Sequence, residues 1–244
     1  SMKVFKRVLK GILALALTAA VCSGLAVAGE GWQLYREAVE TVSLADKVAS
    51  IQEKDGYTEY EELPQVYVDA VVSVEDKRFF RHGGVDPIAI CRALIHDIQA
   101  GAFVEGGSTI TQQLAKNLYF SQEKELTRKA AEVFLAMDLE RNYSKEEILE
   151  LYVNSIYFGD GYYSVAEASE GYFGKEPEAM SDYESTLLAG IPNAPSVYAP
   201  TKNPDLAAQR QLQVVERMEA CGYFSSEEAE TVAETVAAQL AAAP

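Results

Sequence analysis

Three short stretches of the chain carry side chains able to do chemistry. In the first, VVSVEDKRFFRHGGVDP (71–87), β-branched residues deliver two adjacent acids, Glu75 and Asp76. Cationic and aromatic residues follow, then His82, two glycines and Asp86. A carboxylate emerging from apolar surroundings is desolvated, which raises its pKa toward the range useful to a general base. Taken alone, the same pattern is also a charged helix end with a structural histidine and a turn. The second stretch, GGSTITQQLAKN (106–117), runs a glycine-rich loop into a helix start, where hydroxyls and free amides form a place for anions. Gln112 and Lys116 are four residues apart, as are Gln113 and Asn117, so one helical face presents amides and an ammonium. An N-capped surface helix has the same appearance. The third, RKAAE (128–132), sets Arg128 and Glu132 one turn apart. They form either a surface ion pair or a phosphate-binding cation beside an acid that could hold a divalent ion.

Helices must position all three. Residues 32–54 read as a polar-faced helix closed by Lys54-Asp55-Gly56. Residues 64–76 start at Pro64 and carry Val66, Ala70, Val71 and Val74 at helical spacing, which predicts a helix ending near Asp76. Pro87 opens another through about Gln99, with Ile88, Cys91, Ile95 and Ile98 on one face. Ser108 or Thr109 is the natural N-cap of the next. Residues 124–141 carry a core stripe of Leu126, Ala130, Val133, Phe134 and Met137. Arg128 and Glu132 fall on a second apolar side of that helix, beside Leu135 and Leu139. Ser144 and Glu147 form a capping box for a helix to about Asn154. FGDGYYS (158–164) is turn chemistry, followed by helices through Ala168 and Phe173 and over 181–190, a proline-rich rim, and helices over 205–220 and 225–241. Alternating strand patterns are scarce, so the expected fold is mostly α.

Lys3, Lys6, Arg7 and Lys10 precede an uncharged run from Gly11 to Gly29. As a helix that run spans about 28 Å, close to the roughly 30 Å of bilayer hydrocarbon. Its flanks, cationic before and acidic (Glu30, Glu37, Glu40) after, predict a cytoplasmic N-terminus and an exported remainder, with Trp32 and Tyr35 at the interface. The rival is a signal peptide cut after Ala26-Val27-Ala28; a lipoprotein signal at Cys22 fits less well. Ser1 before Met2 is set aside as an addition. The expected organisation is a basic tail (1–10), an anchor (11–29), a juxtamembrane helix and linker (30–60), a catalytic region (61–225) and a C-terminal helix and tail (226–244).

The 244 residues suffice for one sizeable core or two lobes sharing a cleft. A net charge of -16 repels nucleic acid, which is excluded as a partner. Three cysteines without a C-x-x-C pair and only two histidines exclude a Cys- or His-rich metal site.

In combination and in this order, the motifs resemble the peptidoglycan glycosyltransferases of glycosyltransferase family 51, which include the monofunctional enzymes and the N-terminal domains of class A penicillin-binding proteins. The family pattern E-D-x-x-F-x-x-H-x-G-x-D is met by Glu75, Asp76, Phe79, His82, Gly84 and Asp86. G-G-S-T-I-T-Q-Q-x-x-K-N is met from Gly106 to Asn117, and R-K-x-x-E by Arg128, Lys129 and Glu132. K-x-x-I-L-E-x-Y-x-N runs from Lys145 to Asn154, and a fifth region appears as YFGK (172–175) and LAGIPNAPSVYAP (188–200). Ser164 stands where the family commonly has glycine, and the loop between Gly101 and Gly106 is short of cations. Both departures bear on loop geometry and leave the two acids intact.

The resemblance implies a lysozyme-like head lobe, a smaller membrane-facing jaw and one N-terminal transmembrane helix. It implies polymerisation of lipid II into β-1,4 glycan by inverting displacement of undecaprenyl pyrophosphate on the outer face of the bacterial membrane. Glu75 would be the base on the acceptor hydroxyl, and Glu132 would support the leaving pyrophosphate, directly or through a divalent cation (Mg or Mn). No organic cofactor is implied. Lys116, Arg128 and Lys129 would supply positive charge. Asp76, Phe79, His82, Ser108, Thr109, Gln112, Gln113, Asn117, Glu150 and Asn154 complete the expected substrate-binding set. Partners would be lipid II, the growing lipid-linked strand and other wall-synthesis proteins, and moenomycin an expected inhibitor. Two other classes stay open: a lysozyme-like hydrolase or lytic transglycosylase, which has no need of the pyrophosphate set, and a non-catalytic scaffold. Ser121-Gln122-Glu123-Lys124 matches S-x-x-K of transpeptidases, but no K-T-G partner follows. The chain is expected to be monofunctional, the alternative being a piece of a longer bifunctional protein.

Overall fold

The computed structural model describes residues 2–101, 106–120 and 125–242. Twelve α-helices and four short 3-10 turns occur among them, without a β-strand. The S-x-x-K match at 121–124 lies outside the described residues.

Helix α1 (Met2–Thr41) runs unbroken for 40 residues. Leu13, Leu15, Leu17 and Leu25 are exposed along it, and the stretch from Leu9 onward is long and apolar enough to cross a membrane. The single helix expected over 32–54 is divided. Ser43 takes an extended conformation and its hydroxyl accepts from the Asp46 amide at 3.1 Å, starting α2 (Leu44–Gln52) afresh.

Helix α3 (Gln65–Glu75) starts after Pro64 and buries Tyr67, Val68, Val71 and Val72. Its last residue is Glu75, with Asp76 as C-cap. Helix α4 (Pro87–Ala100) is capped by Asp86, but Ala93 alone is buried along it. Its expected apolar face (Ile88, Cys91, Ile95, Ile98) stands exposed, so that stripe forms no part of the core. Helix α5 (Ile110–Tyr119) packs on α6 (Glu125–Asn142) and α7 (Lys145–Val153).

The facing of α6 corrects the sequence reading. Ala131, Leu135, Ala136 and Leu139 are buried with Glu132, whereas Leu126 and Met137 are exposed. The side read as secondary is therefore the core side. The other is covered in part by α1, where Trp32 meets Phe134 edge to face at 5.2 Å between ring centroids. Gly31 sits so close that a Cβ on it would lie 2.4 Å from Ala130 Cβ. Helix α1 thus packs directly onto the helix that carries the RKxxE motif.

Helices α8 (Val165–Phe173), α9 (Asp182–Gly190), α10 (Pro195–Tyr198), α11 (Pro204–Cys221) and α12 (Ser226–Ala242) complete the fold. Helix α3 packs on α9 and α11, and α12 closes over α11. Tyr67, Phe79, Leu114, Leu149, Tyr152 and Leu188 belong to one continuous core.

Candidate active site

Two sizeable hollows compete for attention. One of about 760 Å³ lies between the starts of α9 and α12; it is walled partly by Asp182, Glu227 and Glu228 and holds none of the sequence-predicted residues. The other, about 670 Å³, is lined by Glu75, Asp76, Ser108, Thr109, Gln113 and Arg210. Chemistry selects the second.

Glu75 ends α3 where a buried helix meets this cavity, and its Oε1 is out of contact with water and without a partner. Oε2 accepts from Gln113 Nε2 at 2.9 Å. Burial is the largest influence on the carboxyl and raises its pKa above the ordinary 4.5. The Gln113 hydrogen bond and the charge of Arg210 pull it back without cancelling burial, and neighbouring Asp76 adds to the rise. Such a carboxyl can take a proton from a bound hydroxyl near neutral pH.

The rest of the first motif is turned inward. Asp76 is buried; its Oδ2 lies 2.8 Å from His82 Nε2 and accepts from the Ile110 amide at 3.1 Å, tying the loop to the start of α5. Gly84 has φ +86°, its carbonyl accepts from Thr109 Oγ1 at 2.6 Å, and a Cβ there would press on the Ala136 carbonyl at 3.0 Å. Asp86 accepts from the Ile88 and Ala89 amides and pairs with Arg78 at 2.9 Å. Burial alone would raise its pKa, but these donors outweigh it and hold the carboxyl below 3.8. Phe79 is completely buried, with the Lys145 ammonium 4.4 Å from its ring centroid, so it supports the loop from beneath and cannot touch a ligand in this arrangement.

Thr109 is the N-cap of α5, and Gln112 closes the capping box by accepting from the Thr109 amide at 3.0 Å. Gln112 is therefore turned to the helix start, and Gln113, not Gln112, faces the cavity. Lys116 and Asn117 are exposed on the last turn, beyond the cavity wall.

The third motif meets the second at Ser108. Lys129 Nζ donates to Ser108 Oγ at 3.0 Å and to Glu132 Oε2 at 2.7 Å. Arg128 Nε lies 3.2 Å from Glu132 Oε1, an ion pair without hydrogen-bond alignment. Glu132 is fully buried between the two cations, and that donor set does not suit a metal ligand. The described residues do contain one cluster, Asp76, His82 and Asp86, whose ligand atoms lie within 4.8 Å of one another, close enough to share an ion.

Glu150 and Asn154 lie elsewhere. Glu150 accepts from the Tyr57 hydroxyl and from the Tyr60 amide at 2.8 Å. Asn154 pairs with the Thr58 backbone in both directions, at 3.0 and 2.8 Å. Both pin residues 57–60 to α7.

The sequence reading missed Arg210 and Arg217, which line the cavity from α11. They sit seven residues apart, two helical turns, and that spacing was the available signal. It also missed Glu140, which accepts from Thr111 Oγ1 and from Lys145 Nζ, both at 2.6 Å, joining α5, α6 and α7.

Known proteins can be set beside this geometry. The Transglycosylase family model matches residues 43–219. Penicillin-binding protein 1F of Bacillus subtilis is 45% identical over 192 residues, covering 76% of this chain and 26% of that protein. Penicillin-binding protein 1A of Aquifex aeolicus is 45% identical over 178 residues, covering 73% of this chain and 24% of that protein. The crystal structure of penicillin-binding protein 1A from Haemophilus influenzae aligns with 72% of this chain and 17% of that one, at 23% identity and a TM-score of 0.44. The chain spans about a quarter of the length of the curated relatives it matches.

Proposed function

The chain belongs to the transglycosylase family, the glycosyltransferase-51-type domain of class A penicillin-binding proteins, and from that premise we propose that it polymerises lipid II into β-1,4 glycan strands. The observation that carries this reading is the link at Ser108. The desolvated Glu75 and Ser108 line one cavity, and Lys129 of the neighbouring cation pair donates to the Ser108 hydroxyl.

Glu75 takes the proton of the acceptor sugar's 4-hydroxyl on its carboxylate. The resulting oxygen attacks the anomeric carbon of the lipid-linked donor from the face opposite the pyrophosphate, so configuration inverts. The leaving pyrophosphate carries away the bonding pair, and Lys116, Arg128 and Lys129 stabilise the charge that develops on it. Glu132 holds Arg128 and Lys129 in place, and we assign to these cations the role otherwise expected of a divalent ion. Arg210 and Arg217 add positive charge from α11. Asp76, His82 and Phe79 brace the loop that carries the base, and Glu150 and Asn154 brace α7.

The anchor follows from the same fit. With the N-terminus on the cytoplasmic side, α1 would leave the membrane near Gly29 and hold the region 61–225 beside the bilayer that bears its lipid-linked substrate.

The test is incubation of the chain in membranes with lipid II. Formation of polymer with release of undecaprenyl pyrophosphate, and no cutting of finished glycan, is expected. Cutting of glycan without polymer formation would favour the hydrolase.

A further inference from the structure

Tyr152 belongs to the fourth motif, and the mechanism above gives it no part. It is buried on α7, near enough for the Glu75 charge to act on it. Its hydroxyl donates to Gln113 Oε1 at 3.1 Å, while Gln113 Nε2 donates to Glu75 Oε2 at 2.9 Å. Three helices therefore meet in one chain of hydrogen bonds, phenol to amide to carboxylate.

The direction of that chain matters. A primary amide has nearly the same shape in its two flipped states, but only one presents a donor to Glu75. An ionised carboxylate accepts and cannot donate, so the flipped amide would set oxygen against oxygen. The phenol holds the other end of the amide by donating to its carbonyl. We propose that Tyr152 is a positioning residue: it fixes the Gln113 amide in the orientation that donates to Glu75, and so holds the carboxylate ready to accept a proton. The proposal rests on Glu75 being the base only for its effect on turnover; the orientation itself does not depend on that reading.

The groups facing Glu75 are few. Asp76 is adjacent, Tyr67 lies on α3, Tyr152 on α7 and Arg210 on α11. Tyr67 has no hydrogen-bond partner for its hydroxyl. Gln113 is the one side chain that donates a hydrogen bond to the carboxylate among the described residues. Loss of its orientation removes that donor and favours the protonated acid.

The experiment is a 13C-carboxyl titration of Glu75 in the full chain in detergent micelles, for the parent, Tyr152→Phe, Gln113→Met and the double variant. Tyr152→Phe keeps the ring and removes the hydroxyl alone. The expected result is a Glu75 midpoint at higher pH in all three variants, with the double variant matching Gln113→Met because both changes act through one bond. Turnover of Tyr152→Phe should fall about fivefold below the midpoint, the worth of one hydrogen bond, and converge on the parent at high pH, with KM unchanged. An unmoved midpoint in Tyr152→Phe, or additive shifts in the double variant, would overturn the proposal. If Tyr152→Phe does not fold, the parent chain still decides: the Gln113 side-chain NH2 must show its NMR contacts to the Glu75 side, and an NH2 turned toward the Tyr152 hydroxyl would overturn the proposal. Retained polymerisation by Glu75→Gln would instead remove the role of base and leave the titration result standing.

Discussion

The Lys129 ammonium spans 3.0 Å to Ser108 Oγ and 2.7 Å to Glu132 Oε2. One side chain thereby joins the glycine-rich loop at the base's cavity to the buried acid of α6. In the proposed reaction the acceptor's hydroxyl would lie on the Glu75 side of that loop and the donor's pyrophosphate toward Lys129. The two halves of a displacement, proton removal and charge neutralisation, are thus held by neighbouring elements of one rigid core.

The cation set can be tested separately from the base. Lys116→Ala is expected to weaken binding of a phosphate-bearing inhibitor such as moenomycin by about tenfold, the loss of one charge-assisted contact. Fluorescence anisotropy with labelled moenomycin measures it, and unchanged affinity would rule that role out.

Asp76 holds His82 and the Ile110 amide together while buried. Asp76→Ala should therefore destabilise the chain by about 2–4 kcal/mol, because both partners are left without an acceptor. Thermal unfolding in detergent reads the effect. A variant as stable as the parent would mean that the loop is held by something else.

The raised pKa of Glu75 has a definite sign for stability. Folding favours the protonated acid, so the stability this group contributes is complete below pH 4.5 and is lost as pH rises through its folded value. Glu75→Gln should accordingly raise Tm by a few degrees at pH 7, with the gain shrinking toward pH 4. Equal Tm values for the two chains at pH 7 would show that the charged form is not desolvated.

Gly31 sets the approach of α1 to α6. Replacing it with alanine gains about 1 kcal/mol of helix propensity, but a Cβ would stand 2.4 Å from Ala130 Cβ. Overpacking of that kind costs about 1–3 kcal/mol, and valine more. Gly31→Val should lower Tm and loosen protection of α6 amides from hydrogen exchange; a neutral effect would mean that α1 does not pack there.

Much of this was legible beforehand. Pro64, Asp86, Thr109 and Ser144 mark helix starts by chemistry that acts within a few residues, so sequence spacing suffices to find them. Facing was harder. Helix α6 is apolar on two sides, one buried in the core and the other covered in part by α1, and local spacing does not say which is which. Gln112 and Gln113 are adjacent amides about 100° apart on α5, and the capping box turns one toward Thr109 while the other reaches Glu75. Arg210 escaped notice because it reaches the cavity from a helix more than a hundred residues away in sequence.

The central claim is that Glu75 removes the acceptor proton. The most direct measurement is polymerisation of labelled lipid II by Glu75→Gln beside the parent chain, with moenomycin affinity measured on both. The account predicts loss of polymer by at least about a thousandfold with moenomycin binding retained. Polymer formation near the parent rate in Glu75→Gln would contradict it.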